Sequence, residues 1–197
     1  MREMVLMVVV LLVMSIASGG LLAFLNNNYK EAIEINELDF VKGPAIKSIF
    51  KGSTNNPLAD RFKIKNGNTD QIFFVGKFDG KAESIAFETI VNGFADKIGV
   101  LIGINTAEDK IIGVAVTTHK ETKGLGSKAK DDPDFVAQFK DLMISDSIKV
   151  SSDGGQINAI SGATITSRAV CDATTEAGKA YKQLKPQLVE KLKEFAQ

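Results

Sequence analysis

The residues with the clearest potential for chemistry lie in the stretch Ser161-Gly162-Ala163-Thr164-Ile165-Thr166-Ser167, just before a long helical pattern. A strand ending at Ile160, a tight turn and a helix starting near Thr164 would expose backbone N–H groups beside several hydroxyls, at the positive end of a helix dipole. Gly162 and Ala163 would let a bulky group approach closely. Two interpretations stay open from these residues alone, an anion site suited to a phosphate and an ordinary Ser/Thr cap.

Composition argues against several other kinds of site. Lysine plus arginine and aspartate plus glutamate both number 24, and no basic stripe indicates nucleic acid as a partner. One cysteine, Cys171, and one histidine, His119, are too few for a disulfide, a c-type haem, an iron–sulfur cluster or a Cys/His zinc site. We therefore expect no metal site, and any redox chemistry would use an organic cofactor.

The N-terminus predicts a membrane anchor in residues 1–25. Met4 to Leu25 contains no charged residue, which is enough helix to cross a hydrocarbon core. The alternative is a cleaved signal peptide ending near "SIAS", but apolar residues resume after Gly20 as "LLAFL". Arg2 and the terminal amine precede the span, which favours a cytoplasmic N-terminus and an extracytoplasmic remainder.

Residues 26–70 are interpreted as a connector and residues 71–197 as the folded domain. The connector has some helical periodicity, which Gly43-Pro44 interrupts, and is then rich in turn residues. Strand patterns follow in "QIFFVGKF", "ESIAFETI", "KIGVLIGIN" and "IIGVAVTTHK", with "TAEDK" as the turn between the last two. Shorter strands are predicted in "SIKVSS" and "INAI".

Two helices are predicted among these strands. Asp132-Pro133 is typical of a helix start, an N-cap followed by proline at the first position. After Thr164, apolar residues recur every three or four positions, which indicates a long amphipathic helix that Pro186 would kink or divide. Because hairpins dominate and helices are separate from them, the predicted fold class is α+β with antiparallel strands.

The tetrapeptide Ser161-Gly162-Ala163-Thr164 resembles the S-G-A-T flavinylation motif of the covalent FMN-binding domain family. In that family the last threonine is esterified to the FMN phosphate, and here it is Thr164. The family also has an E-T-P-G-L-G loop shortly after a histidine. The matching residues here are His119, Glu121, Thr122, Gly124, Leu125 and Gly126, with Lys123 in place of the usual proline.

The resemblance implies covalent FMN as the cofactor. The expected binding residues are Ser161, Gly162, Ala163, Thr164, Thr166 and Ser167 from the first motif and the six matching residues of the second. Lys123 and Lys128 either stabilise an anionic reduced flavin or are simply solvated. His119 either contacts the ring or is a surface residue. Cys171 is interpreted as a packing residue, and Asn158 stands where an aspartate is frequent in the family.

The order of the two motifs behind one N-terminal span is similar to the G subunits of Rnf complexes. This implies an electron-transfer subunit of an ion-translocating ferredoxin:NAD oxidoreductase in a bacterial or archaeal cytoplasmic membrane. The implied partners are other Rnf subunits, a flavin transferase that uses FAD, and the lipid bilayer. Two alternatives stay open. One is a flavin carrier like the C subunit of the sodium-pumping NADH:quinone oxidoreductase, or of another extracytoplasmic chain. The other is a membrane-anchored binding module without a cofactor.

Overall fold

The computed structural model of the protein describes residues 2–67 and 69–195. It begins with helix α1 (Arg2–Asn36), which continues as a π-helical turn (Glu37–Lys42). Within the described residues, one helical segment, Arg2–Tyr29, is long and apolar enough to cross a membrane. The chain divides into two compact units, with the boundary between Phe40 and Val41.

The second unit combines one antiparallel sheet with helices, which confirms the predicted α+β class. The sheet has five strands in the order β1-β2-β3-β4-β5, so each strand pairs with its neighbours in sequence. The elements are α2 (Gly43–Ile49), β1 (Arg61–Asn66), β2 (Thr69–Phe78), β3 (Lys81–Asn92), β4 (Lys97–Asn105), β5 (Lys110–Thr118), α3 (Lys128–Asp131), α4 (Pro133–Ala137), a 3-10 turn (Ser151–Asp153) and α5 (Thr164–Phe195).

The main hydrophobic core lies between helix α5 and one face of the sheet. Side chains that alternate along β4 meet the helix there, because successive residues of a strand point to opposite faces. The helix presents a stripe of residues three or four apart, including Val170, Ala177 and Leu188, all fully buried. The apolar periodicity of the sequence therefore decides which face of α5 meets the sheet.

The opposite face of the sheet is covered by the end of helix α2. Ile49 lies against Gly103 of β4 and Gly113 of β5, and the ring of Phe50 lies against Gly76 of β2. A Cβ atom added at Gly103 would stand 2.3 Å from Cγ2 of Ile49, and one at Gly76 would stand 2.3 Å from the Phe50 ring. The glycines thus form a shallow depression that receives α2.

The four strongest strand patterns are confirmed as β2 to β5, and Asp132 caps α4 as expected, its carboxylate accepting from the Asp134 N–H. Strand β1 was missed, because it is short and stands between turn-rich segments. Its apolar residues, Phe62 and Ile64, do alternate, and Phe62 stacks on Phe73 of β2 with ring centroids 5.6 Å apart.

Two further expectations for local structure were wrong. Gly43-Pro44 begins helix α2 instead of interrupting a helix, since proline fits the first turn, where its missing N–H is not needed. The two short strands predicted in "SIKVSS" and "INAI" are reduced to one bridge between Val150 and Ile157. Of the two effects expected of Pro186, a kink or a division, the division does not occur, because helix α5 runs from Thr164 to Phe195 without a break.

The glycines opposite Ile49 provide a matched test of this packing. Gly103→Ala should lower the free energy of unfolding by about 1–3 kcal/mol, because the new methyl group would overlap Ile49. Gly113→Ala, at the directly paired position, should have little effect or stabilise by up to about 1 kcal/mol, since its nearest atom is 3.5 Å away. Urea denaturation measures both, and equal losses would contradict the proposed packing.

Candidate functional site

The start of helix α5 is built by a tight turn after Ile160. Gly162 adopts a φ of 76°, in the left-handed region that favours glycine. The Ala163 N–H then donates to the Ile160 carbonyl at 2.9 Å, and the Ala163 carbonyl accepts from the Ser167 N–H at 2.9 Å. Thr164 is the first helical residue. The N–H groups of this first turn have no acceptor within the helix, as at every helix start.

Ser167 holds this turn together from inside. Its side chain is fully buried, and its hydroxyl donates to the Ala163 carbonyl at 3.0 Å. The same oxygen accepts from the Ile160 N–H at 3.0 Å. The hydroxyl is therefore engaged with the backbone on both sides of the turn.

The carboxylate of Glu121 joins three segments at this end of the sheet. Its Oε1 accepts from the N–H groups of Phe94 at 2.9 Å and Ala95 at 3.0 Å, both in the β3–β4 connection. Its Oε2 accepts from the Thr166 hydroxyl at 2.6 Å. Glu121 is 8% exposed, so its carboxylate is largely removed from water. The three donors replace the hydrogen bonds that water would otherwise supply.

The loop that carries Glu121 turns back on itself after Thr122. The Thr122 carbonyl accepts from the N–H groups of Leu125 and Ser127, both at 3.2 Å. Gly124 has a φ of 78°, and its N–H donates to the Ser127 hydroxyl at 2.9 Å. The compact loop places Leu125 beside Gly162, since a Cβ at Gly162 would lie 3.6 Å from the Leu125 side chain.

These segments enclose a cleft of about 320 Å³. It is lined by Phe94, Glu121, Thr122, Leu125, Gly126, Gly162, Ala163, Thr164, Ile165 and Thr166. The structure thus brings eight of the twelve sequence-predicted site residues together, from two motifs that are far apart in the chain. The shared feature of the cleft is a helix start on one side and apolar side chains around it.

Four predicted site residues do not line this cleft. Ser161 is exposed on the turn, Ser167 is buried beneath it, and Gly124 lies at the bend of the loop. His119 is partly buried, and its Nδ1 accepts from the Glu121 N–H at 3.3 Å. Lys123 and Lys128 are exposed and also lie outside the cleft lining.

Sequence reasoning missed Phe94 and Ile165 as lining residues. Phe94 is 68% exposed and Ile165 is 50% exposed, although both are large and apolar. Ile165 could have been found, because it falls outside the apolar stripe that buries the rest of α5. Phe94 follows a strand in a short connection, and nothing local in the sequence predicts that it reaches the cleft.

Cys171 and Asn158 lie near the motif without facing the cleft. The Cys171 thiol is 1% exposed, and burial raises its pKa to about 12, so it stays protonated at neutral pH. The backbone of Asn158 pairs with the side chain of Gln138, its N–H donating to Oε1 at 2.7 Å and its carbonyl accepting from Nε2 at 3.3 Å.

The segment that forms the cleft is similar in sequence to known proteins. Residues 93–179, which carry all of the cleft residues, match the family model described as an FMN-binding domain. The chain is 30% identical over 178 residues to the G subunit of the ion-translocating oxidoreductase complex of Methanosarcina acetivorans, and the match covers 89% of this chain and 93% of that protein. The chain belongs to the family of G subunits of ion-translocating oxidoreductase complexes.

The chain is also similar to a second G subunit and to one solved structure. The corresponding G subunit of Shewanella piezotolerans is 34% identical over 122 residues, which cover 59% of this chain and 57% of the relative. Among solved structures, NqrC of Shewanella oneidensis has a similar fold, with a TM-score of 0.52 and 22% identity over 68% of this chain and 72% of that one. At that identity the likeness concerns the fold alone.

The cleft of this G-subunit family member fits the group that its FMN-binding domain implies. The N–H groups at the start of α5 suit a phosphate, because they are aligned at the positive end of the helix dipole. The exposed apolar side chains of Phe94, Leu125 and Ile165 suit a flat ring. The volume lies within the roughly 300–1,000 Å³ typical of small-molecule sites.

The double engagement of Ser167 predicts a structural effect of its removal. Ser167→Ala should lower the free energy of unfolding by about 1–3 kcal/mol, since the buried Ile160 N–H would lose its acceptor. Thr174→Val is the control, because that buried hydroxyl bonds only to a carbonyl of its own helix and valine keeps its shape. Chemical denaturation compares the two, and a larger loss for Thr174→Val would contradict the role of Ser167.

Proposed function

We propose that this chain is the flavin-carrying electron-transfer subunit of an Rnf complex, an ion-translocating ferredoxin:NAD oxidoreductase. In this proposal FMN is held by a phosphoester to the Thr164 hydroxyl. The observation that supports it best is the position of Thr164, which is the first residue of α5 and lines the cleft that both motifs form. Membership of the G-subunit family supports the assignment to this complex.

The attachment transfers the FMN group of FAD to the Thr164 hydroxyl, with no change of oxidation state. The Thr164 oxygen forms a bond to the phosphorus on the FMN side of FAD, and the bond to the bridging oxygen breaks. AMP leaves with the bonding electron pair, and the hydroxyl proton passes to the flavin transferase. The N–H groups at the start of α5 stabilise the phosphate negative charge, as they would any anion there.

The chain's own residues then hold and orient the group. FMN supplies the redox chemistry, accepting and giving up electrons at its ring. Phe94, Leu125 and Ile165 offer apolar surface for that ring and exclude water from part of it. Gly162 keeps the approach to the phosphate open, because it has no side chain at the turn. Four residues outside the cleft lining remain proposed members of the site, because they belong to the two segments that form it: His119, Gly124, Ser161 and Ser167.

For the arrangement in the cell, we propose residues 1–25 as a single-pass anchor, 26–70 as a connector and entry segment, which carries α2 and β1, and 71–197 as the FMN-binding domain. The apolar helix Arg2–Tyr29 supports the anchor in the lipid bilayer. The domain would lie outside the cytoplasmic membrane, where a covalent bond prevents loss of the cofactor. Other subunits of the complex would supply and remove the electrons.

The second candidate is a carrier like the C subunit of a sodium-pumping NADH:quinone oxidoreductase, a protein whose fold this domain shares. Proteins that co-purify with the chain from native membranes distinguish the two complexes. Rnf subunits are the expected partners.

The attachment site is tested by Thr164→Ala. After maturation with a flavin transferase, the variant should lack the covalent flavin, while Thr164→Ser should retain it, because only the hydroxyl is needed for the ester. Flavin fluorescence in a denaturing gel and the intact mass measure the label. A label that persists on Thr164→Ala would show that the ester is formed at another residue. An unlabelled wild-type protein from its native host would favour the cofactor-free binding module.

The orientation is tested by labelling a new cysteine at position 123. Lys123→Cys should react with a membrane-impermeant maleimide in spheroplasts, since residue 123 is exposed and the domain is proposed to be outside. The wild-type chain gives the background, which should be low because Cys171 is 1% exposed with its thiol protonated. Labelling only after the membrane is broken would place the domain in the cytoplasm.

A further inference from the structure

We infer that Glu121 is a positioning residue for flavin attachment, acting on Thr164 through the hydroxyl of Thr166. The inference rests on the proposed function of Thr164 as the acceptor of FMN. It assigns to Glu121 a role that is distinct from contact with the cofactor, namely to set the acceptor hydroxyl and the cleft before the flavin arrives.

The first support is the reach of the Glu121 hydrogen bonds. One carboxylate oxygen receives two backbone N–H groups of the β3–β4 connection, and the other receives the Thr166 hydroxyl at 2.6 Å. The segments joined in this way are separated by 27 residues on one side and 45 on the other. Side chains from both of them, Phe94 and Thr166, line the cleft.

The second support is that the backbone leaves room for this carboxylate and for little else. A Cβ added at Gly93 would lie 2.6 Å from Oε1 of Glu121, and one at Gly126 would lie 2.7 Å from Oε2. Neither glycine has a positive φ, so close neighbours, and not backbone strain, account for the absence of a side chain there. At Gly126 the neighbour is Glu121, and at Gly93 it is Glu121 together with Ile98, whose Cδ1 would lie 2.5 Å from the added Cβ. Glycine at both positions therefore leaves space for the Glu121 carboxylate.

The third support is the place of Thr166 in the helix. It is 2% exposed and lies in the same first turn as Thr164. First turns of helices fray because their N–H groups lack partners. A short hydrogen bond from Thr166 to the Glu121 carboxylate restrains that turn, and with it the backbone position from which Thr164 lines the cleft.

Attachment kinetics test the inference on the full-length chain in detergent, with a flavin transferase and FAD. Glu121→Ala should lower the kcat of labelling by about tenfold or more, the equivalent of one lost hydrogen bond to a charged group. The KM for the acceptor chain should change much less, because the surface met by the transferase is retained. Thr166→Val, which loses only the hydroxyl, should lower kcat in the same direction.

Glu121→Gln is the conservative variant and should restore most of the rate. Its amide oxygen can accept both backbone N–H groups, and its NH₂ can donate to the Thr166 oxygen. The double variant of Glu121→Ala and Thr166→Val should label no more slowly than Glu121→Ala alone, since both remove the same contact. Gly103→Ala controls for stability, because it weakens the fold outside the cleft and should label at the wild-type rate.

Three results would overturn the inference: a wild-type rate for Glu121→Ala, a wild-type rate for Thr166→Val, or a Glu121→Gln variant no faster than Glu121→Ala. If Glu121→Ala does not fold, Thr166→Val still decides the question against the wild-type rate, and Glu121→Gln is then compared with Thr166→Val, which it should exceed. Thr164→Ala distinguishes a failure of the proposed role of Glu121 from a failure of the proposed ester at Thr164. A label that survives that change refutes the ester at Thr164, whereas its loss beside an unaffected Glu121→Ala refutes only the role of Glu121.

Discussion

The burial of one face of helix α5 against the sheet is the interaction on which the site depends. The helix runs from Thr164 to Phe195 and contacts β1, β3 and β4 along its length. At roughly 25 cal/mol per Å² of apolar surface, such a face supplies far more stabilisation than helix propensity. Because the body of the helix is fixed in this way, its first turn is presented at a constant place beside the β3–β4 connection.

The other face of the sheet imposes a second constraint on the same strands. Ile49 and Phe50 fill the depression over the glycines of β2, β4 and β5, so strand β4 is buried on both sides. A central strand enclosed in this way cannot shift its register without exposing apolar side chains. The connections at its ends start from a fixed strand, and one of them carries Phe94 to the cleft.

The long elements and the motif residues could be predicted from the sequence, because their signals are local. Runs of β-branched and aromatic residues located β2 to β5, and the small and hydroxyl residues from Ser161 to Ser167 located a helix start that lines a cleft. Strand β1 pairs with the adjacent β2, but its own pattern is short and surrounded by turn residues, so the local signal is weak. The placement of Phe94 depends on Glu121, 27 residues away, so no window around Phe94 contains the information. Ser167 shows a different limit: its hydroxyl was expected at the phosphate, but residue type does not reveal that it points into the turn.

The burial of Cys171 has a consequence for the chemistry of the compartment proposed for this domain. A thiol with a pKa raised to about 12 offers almost no thiolate, the form that attacks disulfides and peroxides. The chain's one cysteine is thus shielded from cross-linking with secreted thiols and from stepwise oxidation by reactive oxygen species. The proposed flavin carrier would thus have an unreactive sulfur seven residues along the helix from Thr164, the proposed attachment site.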